Sequence, residues 1–417
     1  MIRADLLVTG IGELATLARG PLPRRGAAQG DLGLVFDAAV AVAGGVVVAA
    51  GPEREVRRAV TLAARGVHRS IDGGCVVPGF VDAHTHLLFA GDRHGEVEAK
   101  LRGASYGDIA RRGGGLFATV RATRRAAAAE LVDRAVDRLR RMALAGTTTA
   151  EVKSGYALTV PGERRLLDLI PEVARQSGLR LVPTYLGAHA VPPEYDGRAD
   201  AWVRTLLSEI PRIAASGRAR FCDIFVEPGF FSAGPARRIL TAARSAGLGL
   251  KLHADEFSAS GGAELAARLG ARSADHLLRA PRSSYAGLAR AGTVAVLLPV
   301  TPFASLSGTA SPGRELVRAG VPVALGTDLS PNSWVESMTI VLAHAVYAAR
   351  LSPAEELAAA TVNAACAIGA EGEAGQIRPG RSADLAIFPV RHAVEIPYRI
   401  GLPPTAVYCR GRQVTPT

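Results

Sequence analysis

Apolar and polar positions fall into two regimes along the chain. Up to about residue 75, short β-like runs (DLLVTG, LGLVFDAAVAV, GGVVVAAG) alternate with Gly and Pro and show no long helical period, which predicts a small β-domain. From Val76 onward, strand-length apolar runs alternate with amphipathic helices. One such helix lies within Glu130 to Ala145, where Leu131, Val132, Ala135, Val136, Leu139 and Met142 repeat at the 3.6 period and Gly146 follows as the stop. Eight strand candidates follow Val76: VVPGFVDAHTH, TTTAEVKSGY, RLVPTYLGAH, FCDIFVEP, LGLKLHADE, SADHLL, TVAVLLP and VPVALGTDLSP. Helical patterns separate most of them, so parallel βα units closing into a (β/α)8 barrel are expected, with a doubly wound open sheet as the rival. Polar residues decide between them. His84, His86, Tyr156, His189, His253, His276 and Asp328 all fall at or near the C-terminal ends of these runs, which a barrel brings to one mouth. Past Pro379, ADLAIFPV and TAVYCRGRQVT return to β character. The expected division is therefore residues 1–75 and 371–417 in a composite β-sandwich domain, flanking a barrel at 76–370.

The run VPGFVDAHTHL, Val77 to Leu87, ends in two histidines one residue apart. Strand alternation puts Asp82, His84 and His86 on one face, so both imidazoles point the same way. On the fifth run Lys251 shares a face with His253, and a buried lysine there needs an anion, for which Asp82 is the expected partner. Glu256 has the wrong parity for that strand and belongs to the loop beyond. On the eighth, Ala324, Gly326 and Asp328 share a face. His84, His86, His253 and Asp328 together make three imidazoles and a carboxylate, a donor set for Zn²⁺ or iron with an open position for water.

Composition narrows the class. The chain has 417 residues, 48% hydrophobic and 21% charged, which suits a globular protein with a substantial core. Its longest apolar run, Ala38 to Pro52, is broken by Gly44 and Gly45 and falls short of the roughly 20 residues of a membrane span. The N-terminus lacks a secretory pattern, so a cytoplasmic location is expected. Four dispersed cysteines without a C-x-x-C pair predict neither a disulfide framework nor a thiolate metal site. The net charge of +11 comes from arginines spread over Ala-rich helices, read as solvated faces rather than a nucleic-acid surface.

The order PGFVDAHTH, HADE, ADH, GTD resembles the amidohydrolase superfamily, metal-dependent hydrolases on a (β/α)8 barrel with a composite β-domain. Within it, FAGDRHGEVEAKLRGASY, GGGLFATVRATR, EVKSGY, LGAHAVPPEY and HADEFS resemble the imidazolonepropionase family of histidine degradation. The resemblance implies hydrolysis of the ring amide C–N bond of 4-imidazolone-5-propanoate to N-formimidoyl-L-glutamate, by water ionised on one Zn²⁺, Fe²⁺ or Fe³⁺ per chain. It makes His84, His86, His253 and Asp328 the ligands, and it puts Glu256 and His276 at proton-transfer and oxyanion-stabilising positions. Among Glu256, His276 and Asp328, the group that takes the water's proton stays open. Arg93 becomes the fork for the propanoate, with Tyr106, Tyr156 and His189 around the ring and side chain. Ser330, Asn332 and Ser333 stand in the loop for the amino-acid end. A small-molecule substrate, no nucleic-acid or membrane partner, and a homodimer are expected.

Gly113 to Gly115 lack a phosphate-loop Lys-Ser/Thr and are read as a mobile loop near the ligand. His68, His94, His344 and His392 receive no role. The chain departs from the family pattern at Ser330-Pro331-Asn332-Ser333, where Asn-Pro-Gly is usual, at Ala157 and at TPFASLSGTASPG. Two rivals are retained: another amidohydrolase acting on a cyclic amide or aminated ring, and a non-catalytic basic binding protein. The rivals differ in their metal ligands, which a binding protein would lose first. No strand-4 lysine is present to bridge two metals, so one metal is expected.

Overall fold

The computed structural model describes residues 1–104 and 106–415, without the side chains of 106, 107 and 110. Each of the eight strand candidates contains a barrel strand: Phe80–Asp82, Thr147–Lys153, Arg180–Ala188, Phe221–Val226, Gly249–Ala254, Ser273–His276, Val294–Leu297 and Val323–Leu325. They pair in parallel with their sequence neighbours, one to eight, which is barrel order and not the doubly wound order. Backbone hydrogen bonds close the ring. Ala83 N–H donates to Leu325 C=O at 3.2 Å, Asp328 to His84 at 3.0 Å and His86 to Leu329 at 2.9 Å. Gly326 permits that approach, since a Cβ there would stand 2.9 Å from the His84 nitrogen. The histidine pair therefore lies just past its short strand, pinned to the eighth strand's exit loop.

Helices cover the outside. The predicted Glu130 to Ala145 helix is Ala128–Leu144, and all six periodic apolar residues are buried, as is Arg138 among them. Gly146 then turns the chain at φ +96° into the second strand, a backbone that favours glycine.

The N- and C-terminal segments share one mixed sheet. Its long strand, Ile2–Ala15, pairs on one edge with Leu34–Ala43. On the other edge it pairs with Val60–Ser70 and then with Cys75–Pro78. Leu385–Phe388, Ala406–Cys409 and Arg412–Gln413 extend the sheet from Cys75–Pro78. Leu6, Val8, Ile11, Leu14, Val40, Leu385 and Ile387 fill its core. The glycines that interrupt the longest apolar run form the turn of a hairpin between Leu34–Ala43 and Val46–Pro52, both at positive φ. Val60–Ser70 is a strand that the hydrophobic pattern does not announce: it is exposed at most positions, and its ladder is made by backbone. Because Cys75–Pro78 precedes the first barrel strand by one glycine, the small domain's sheet anchors the entry to the histidine pair. The four cysteines are buried and unpaired, and among the described residues no helix is long and apolar enough to cross a membrane.

Candidate metal centre and substrate cleft

Three ring nitrogens converge at the barrel mouth. His86 Nε2 is 3.3 Å from both His84 Nε2 and His253 Nε2, while Asp328 Oδ1 stands 3.5 Å from His86 Nε2 and 3.6 Å from His84 Nε2. Because Nδ1 of His84 and of His253 is taken by a carboxylate, the Nε2 lone pairs of these two rings face the same point as His86. Two nitrogens each bound about 2.0–2.1 Å from a tetrahedral ion lie about 3.3–3.4 Å apart, so the donor set fits a metal. Protonation would spoil it, and burial prevents protonation. Burial, then Lys153 and the neighbouring rings, hold His84 well below its ordinary pKa; burial, then His189 and His253, do the same for His86.

Orientation comes from a layer of ions beneath. His84 Nδ1 meets Asp275 Oδ2 at 2.6 Å and His253 Nδ1 meets Asp223 Oδ1 at 3.1 Å, which aims each Nε2 upward. Those carboxylates are in turn held by ammonium groups. Lys153 Nζ lies 2.5 Å from Asp223, 2.8 Å from Glu151 and 3.6 Å from Asp275; Lys251 Nζ lies 3.4 Å from Glu151 and 3.6 Å from Asp275. Every one of these five side chains is fully buried. Although burial opposes its charge, Asp223, Glu151 and Asp275 raise Lys153 above its ordinary value; against its own burial, Lys153 and His253 keep Asp223 well below the carboxylate range. The expected Lys251–Asp82 pair does not form. Asp82 instead accepts from the Thr327 hydroxyl at 2.6 Å and backbone at 3.0 Å, because the first strand ends early and turns toward the eighth. Three carboxylates against two ammoniums leave an excess of negative charge beneath the imidazoles, which favours a cation among them.

Above the ligands opens a narrow cleft of about 50 Å³. His86, Arg93, Tyr156, His189, His253, Glu256, His276, Asp328, Ser330 and Asn332 line it, with Leu116, Phe225 and Phe257 as its apolar wall. Glu256 lies past the fifth strand, as its parity predicts, and its backbone N–H donates to Glu227 at 3.2 Å. His276 Nε2 stands 3.7 Å from Glu256 Oε2, and neither of its ring nitrogens has a hydrogen-bond partner among the described residues. Burial, then Asp328 and Glu227, push the Glu256 carboxyl well above the usual range, while burial, then His253 and Lys153, keep His276 neutral. Burial likewise raises Asp328 to about 7, and a cation beside it would restore the carboxylate; its Oδ2 accepts from Thr301 at 2.9 Å. His276 and Asp328 sit at φ +73° and +53°, unfavourable for residues with a side chain and held by the surrounding fold.

The loops arrange the rest. His189 Nδ1 is 2.9 Å from the Gly155 carbonyl, and its ring stacks on His86 with centroids 5.0 Å apart. Glu163, which sequence reasoning passed over, accepts from the backbone of Gly155, Ala157 and Leu158 at 2.6 to 2.9 Å and so fixes the loop presenting Tyr156. Arg93 directs Nε and Nη2 to Glu96 Oε2 at 2.8 and 2.6 Å. The Gly113–Gly115 segment is tied down here too, since Gly115 N–H donates to Glu96 Oε1 at 2.7 Å and begins a helix. Ser333 is buried outside the cleft wall, its carbonyl taken by Ser330 N–H at 3.1 Å. The Tyr106 backbone begins the helix Tyr106–Arg111, but its side chain lies outside the described residues. Of His68, His94, His344 and His392, none lines the cleft.

Residues 75–414 match the model of the Amidohydrolase family. A curated imidazolonepropionase of Symbiobacterium thermophilum is 48% identical over 98% of this chain and 97% of its own length. That of Halobacterium salinarum is 45% identical over 96% and 95%. This chain belongs to the imidazolonepropionase family of amidohydrolases. More distant structures share the fold. A zinc-bound adenosine deaminase from Xanthomonas campestris superposes with a TM-score of 0.70 at 20% identity, covering 99% of this chain and 93% of its own. A zinc complex of atrazine chlorohydrolase from Arthrobacter aurescens gives 0.67 at 19%, over 98% and 95%. Those likenesses concern architecture. The imidazolonepropionase relatives match the ligand-bearing barrel and the small domain alike, over nearly full length.

Proposed function

We propose that this chain hydrolyses 4-imidazolone-5-propanoate to N-formimidoyl-L-glutamate, with one Zn²⁺ or iron ion held by His84, His86, His253 and Asp328. The observation that carries the reading is the convergence of these four donors at the floor of a cleft that also contains Arg93, in a chain 48% identical to a curated imidazolonepropionase. A bound ion supplies Lewis acidity and lowers the pKa of its water from about 15.7 towards 7.

The residues do the rest. Arg93, on the cleft wall and oriented by Glu96, is the guanidinium that meets the propanoate, and Tyr156 and His189 flank the ring. Tyr106 joins them by family resemblance alone, and Ser330, Asn332 and Ser333 form the loop for the amino-acid end. His276, neutral and with no hydrogen-bond partner among the described residues, stabilises negative charge developing on the ring carbonyl oxygen. As the water oxygen bonds to that carbonyl carbon and the ring C–N bond breaks, a proton passes from the water to the departing nitrogen. Glu256 and Asp328 are the carboxyl groups placed to relay it. Glu151, Asp223 and Asp275 lie outside the cleft wall: Asp223 and Asp275 hold His253 and His84, and Glu151 holds the two lysines beside them. The reading includes a cytoplasmic homodimer, with residues 1–75 and 371–417 forming the small domain around the 76–370 barrel.

The test is elemental analysis of the purified protein beside an assay with freshly generated imidazolonepropanoate. About one equivalent of Zn or Fe with turnover is expected. Two tightly bound metals would overturn the mononuclear site. Turnover of an aminated ring but not of imidazolonepropanoate would shift the reading to a deaminase.

A further inference from the structure

The charge at the carboxylate end of the cleft does not add up on Arg93 alone. Glu96 Oε2 takes Nε and Nη2 of Arg93, so this pair brings no net charge to an incoming carboxylate. A third group lies close by. Lys100, four residues beyond Glu96 on the helix Glu96–Leu101, is half-buried, and its Nζ donates to Asn332 Oδ1 at 3.0 Å. Asn332 is itself part of the cleft wall, as is Arg93. Among the described residues no carboxylate lies within ion-pair distance of Lys100, unlike Arg102 on the next turn, which pairs with Glu98. Lys100 thus stands one amide behind the wall with its charge uncompensated, in a place where burial and Arg93 both oppose that charge and only Glu96 favours it.

We infer that Lys100 is a specificity determinant of the cleft: it supplies the net positive charge that selects a carboxylate-bearing substrate, through Asn332, while Arg93 supplies the geometry. The cation at Lys100 is costly to keep there without a ligand. An anion on the other side of Asn332 offsets that cost, and the Lys100–Asn332 bond joins the loop after the first strand to the loop after the eighth across the occupied end. The substrate assignment rests on the proposed function, but the charge selectivity does not.

The experiment measures binding of imidazole-4-propanoate and of 4-propylimidazole to the metal-loaded protein by calorimetry, in the wild type, Lys100→Met, Lys100→Arg and Asn332→Ala, beside turnover of imidazolonepropanoate. Lys100→Met should weaken the propanoate about three- to tenfold, the size for a half-exposed charge, and leave 4-propylimidazole unchanged. Lys100→Arg should retain most of the preference, and raising ionic strength should shrink the gap between wild type and Lys100→Met. In kinetics the loss should appear in KM rather than kcat. Equal weakening of both ligands, or no weakening of either, overturns the inference, as does a wild type that binds the two ligands equally. If the wild type prefers the propanoate ligand through Lys100 yet does not turn over imidazolonepropanoate, the proposed function falls and the charge selectivity stands.

Discussion

Two ion clusters serve this cleft, and they are built in opposite ways. The floor, formed by Glu151, Lys153, Asp223, Lys251 and Asp275, is fully buried on five adjacent-face strand positions of a closed barrel. The rim, formed by Arg93, Glu96, Lys100 and Asn332, sits on a short helix and two loops and is partly open to water. Buried charges are tolerated only when each has partners, so the floor is over-connected, with Lys153 facing three carboxylates. At the rim, Arg93 is buried against a single carboxylate, Glu96, while Lys100 is half-buried and meets an amide instead of a carboxylate. The floor fixes imidazole direction and so the metal; the rim stays able to exchange its partners for a substrate.

The largest effect should come from above the floor. His253→Ala removes one of four donors from a site that has none to spare, so metal content and turnover should vanish together; retained metal with full activity would take His253 out of the ligand set. Next are the groups that touch the reacting atoms. Glu256→Gln and His276→Asn should each lower kcat by roughly 10² or more while metal content persists, and a change confined to KM would make them binding residues instead.

At the rim, Arg93→Gln should cost on the order of 10- to 150-fold in kcat/KM on imidazolonepropanoate, with metal unchanged, since a charge-assisted bond to the propanoate is lost. Arg93→Lys should recover only part, because a point charge cannot reproduce the fork. A matching loss on a substrate without the carboxylate would show that Arg93 shapes the cleft rather than holding the tail. In the floor, Asp223→Asn keeps the shape but removes the charge behind His253. Metal affinity should fall about 10- to 100-fold, read by competition with a chelator, with kcat of the fully loaded enzyme far less affected.

How far the sequence reached depends on the same contrast. Strand periodicity makes the barrel legible, because eight apolar runs end in polar residues and only a closed parallel barrel gathers such ends. The candidate donors are legible for that reason, since His84, His86, His253 and Asp328 lie at such ends; His189 and His276 lie there too, and the family pattern, not periodicity, separates them. The floor was half legible. Glu151 and Lys153 share a face of TTTAEVK, Asp223 sits inside FCDIFVE and Asp275 precedes His276, so an alternation count finds four inward charges. Parity does not give depth or neighbour, and the partner of Lys251 was accordingly misassigned to Asp82, which the early end of the first strand carries away to Thr327. Val60–Ser70 was invisible because its pairing is backbone to backbone, with few apolar side chains to mark it. Arg138 was read as part of a solvated face. It is buried, bonded to the Leu87 and Phe89 carbonyls at 2.8 and 3.0 Å, and packed 3.5 Å over the Phe89 ring, a role that needs the loop to be present before it can be seen.

The smallest expected effect tests whether the rim's chemistry belongs to particular charges or to basic character in general. Arg102 lies directly after the helix that carries Lys100 and pairs with Glu98, yet both side chains are about three-quarters exposed, at 76% and 72%. An ion pair in water contributes about 0–1 kcal/mol and is screened by salt. Arg102→Ala removes a positive charge as Lys100→Met does, two residues away, but from the solvent side rather than from behind Asn332. Thermal stability should therefore shift little, kcat/KM on imidazolonepropanoate should stay within about twofold of wild type, and metal content should not move. If Arg102→Ala weakened the propanoate ligand as much as Lys100→Met does, the attraction would come from the summed field of a chain with net charge +11 rather than from one placed cation, and the distinction between rim and surrounding surface would dissolve.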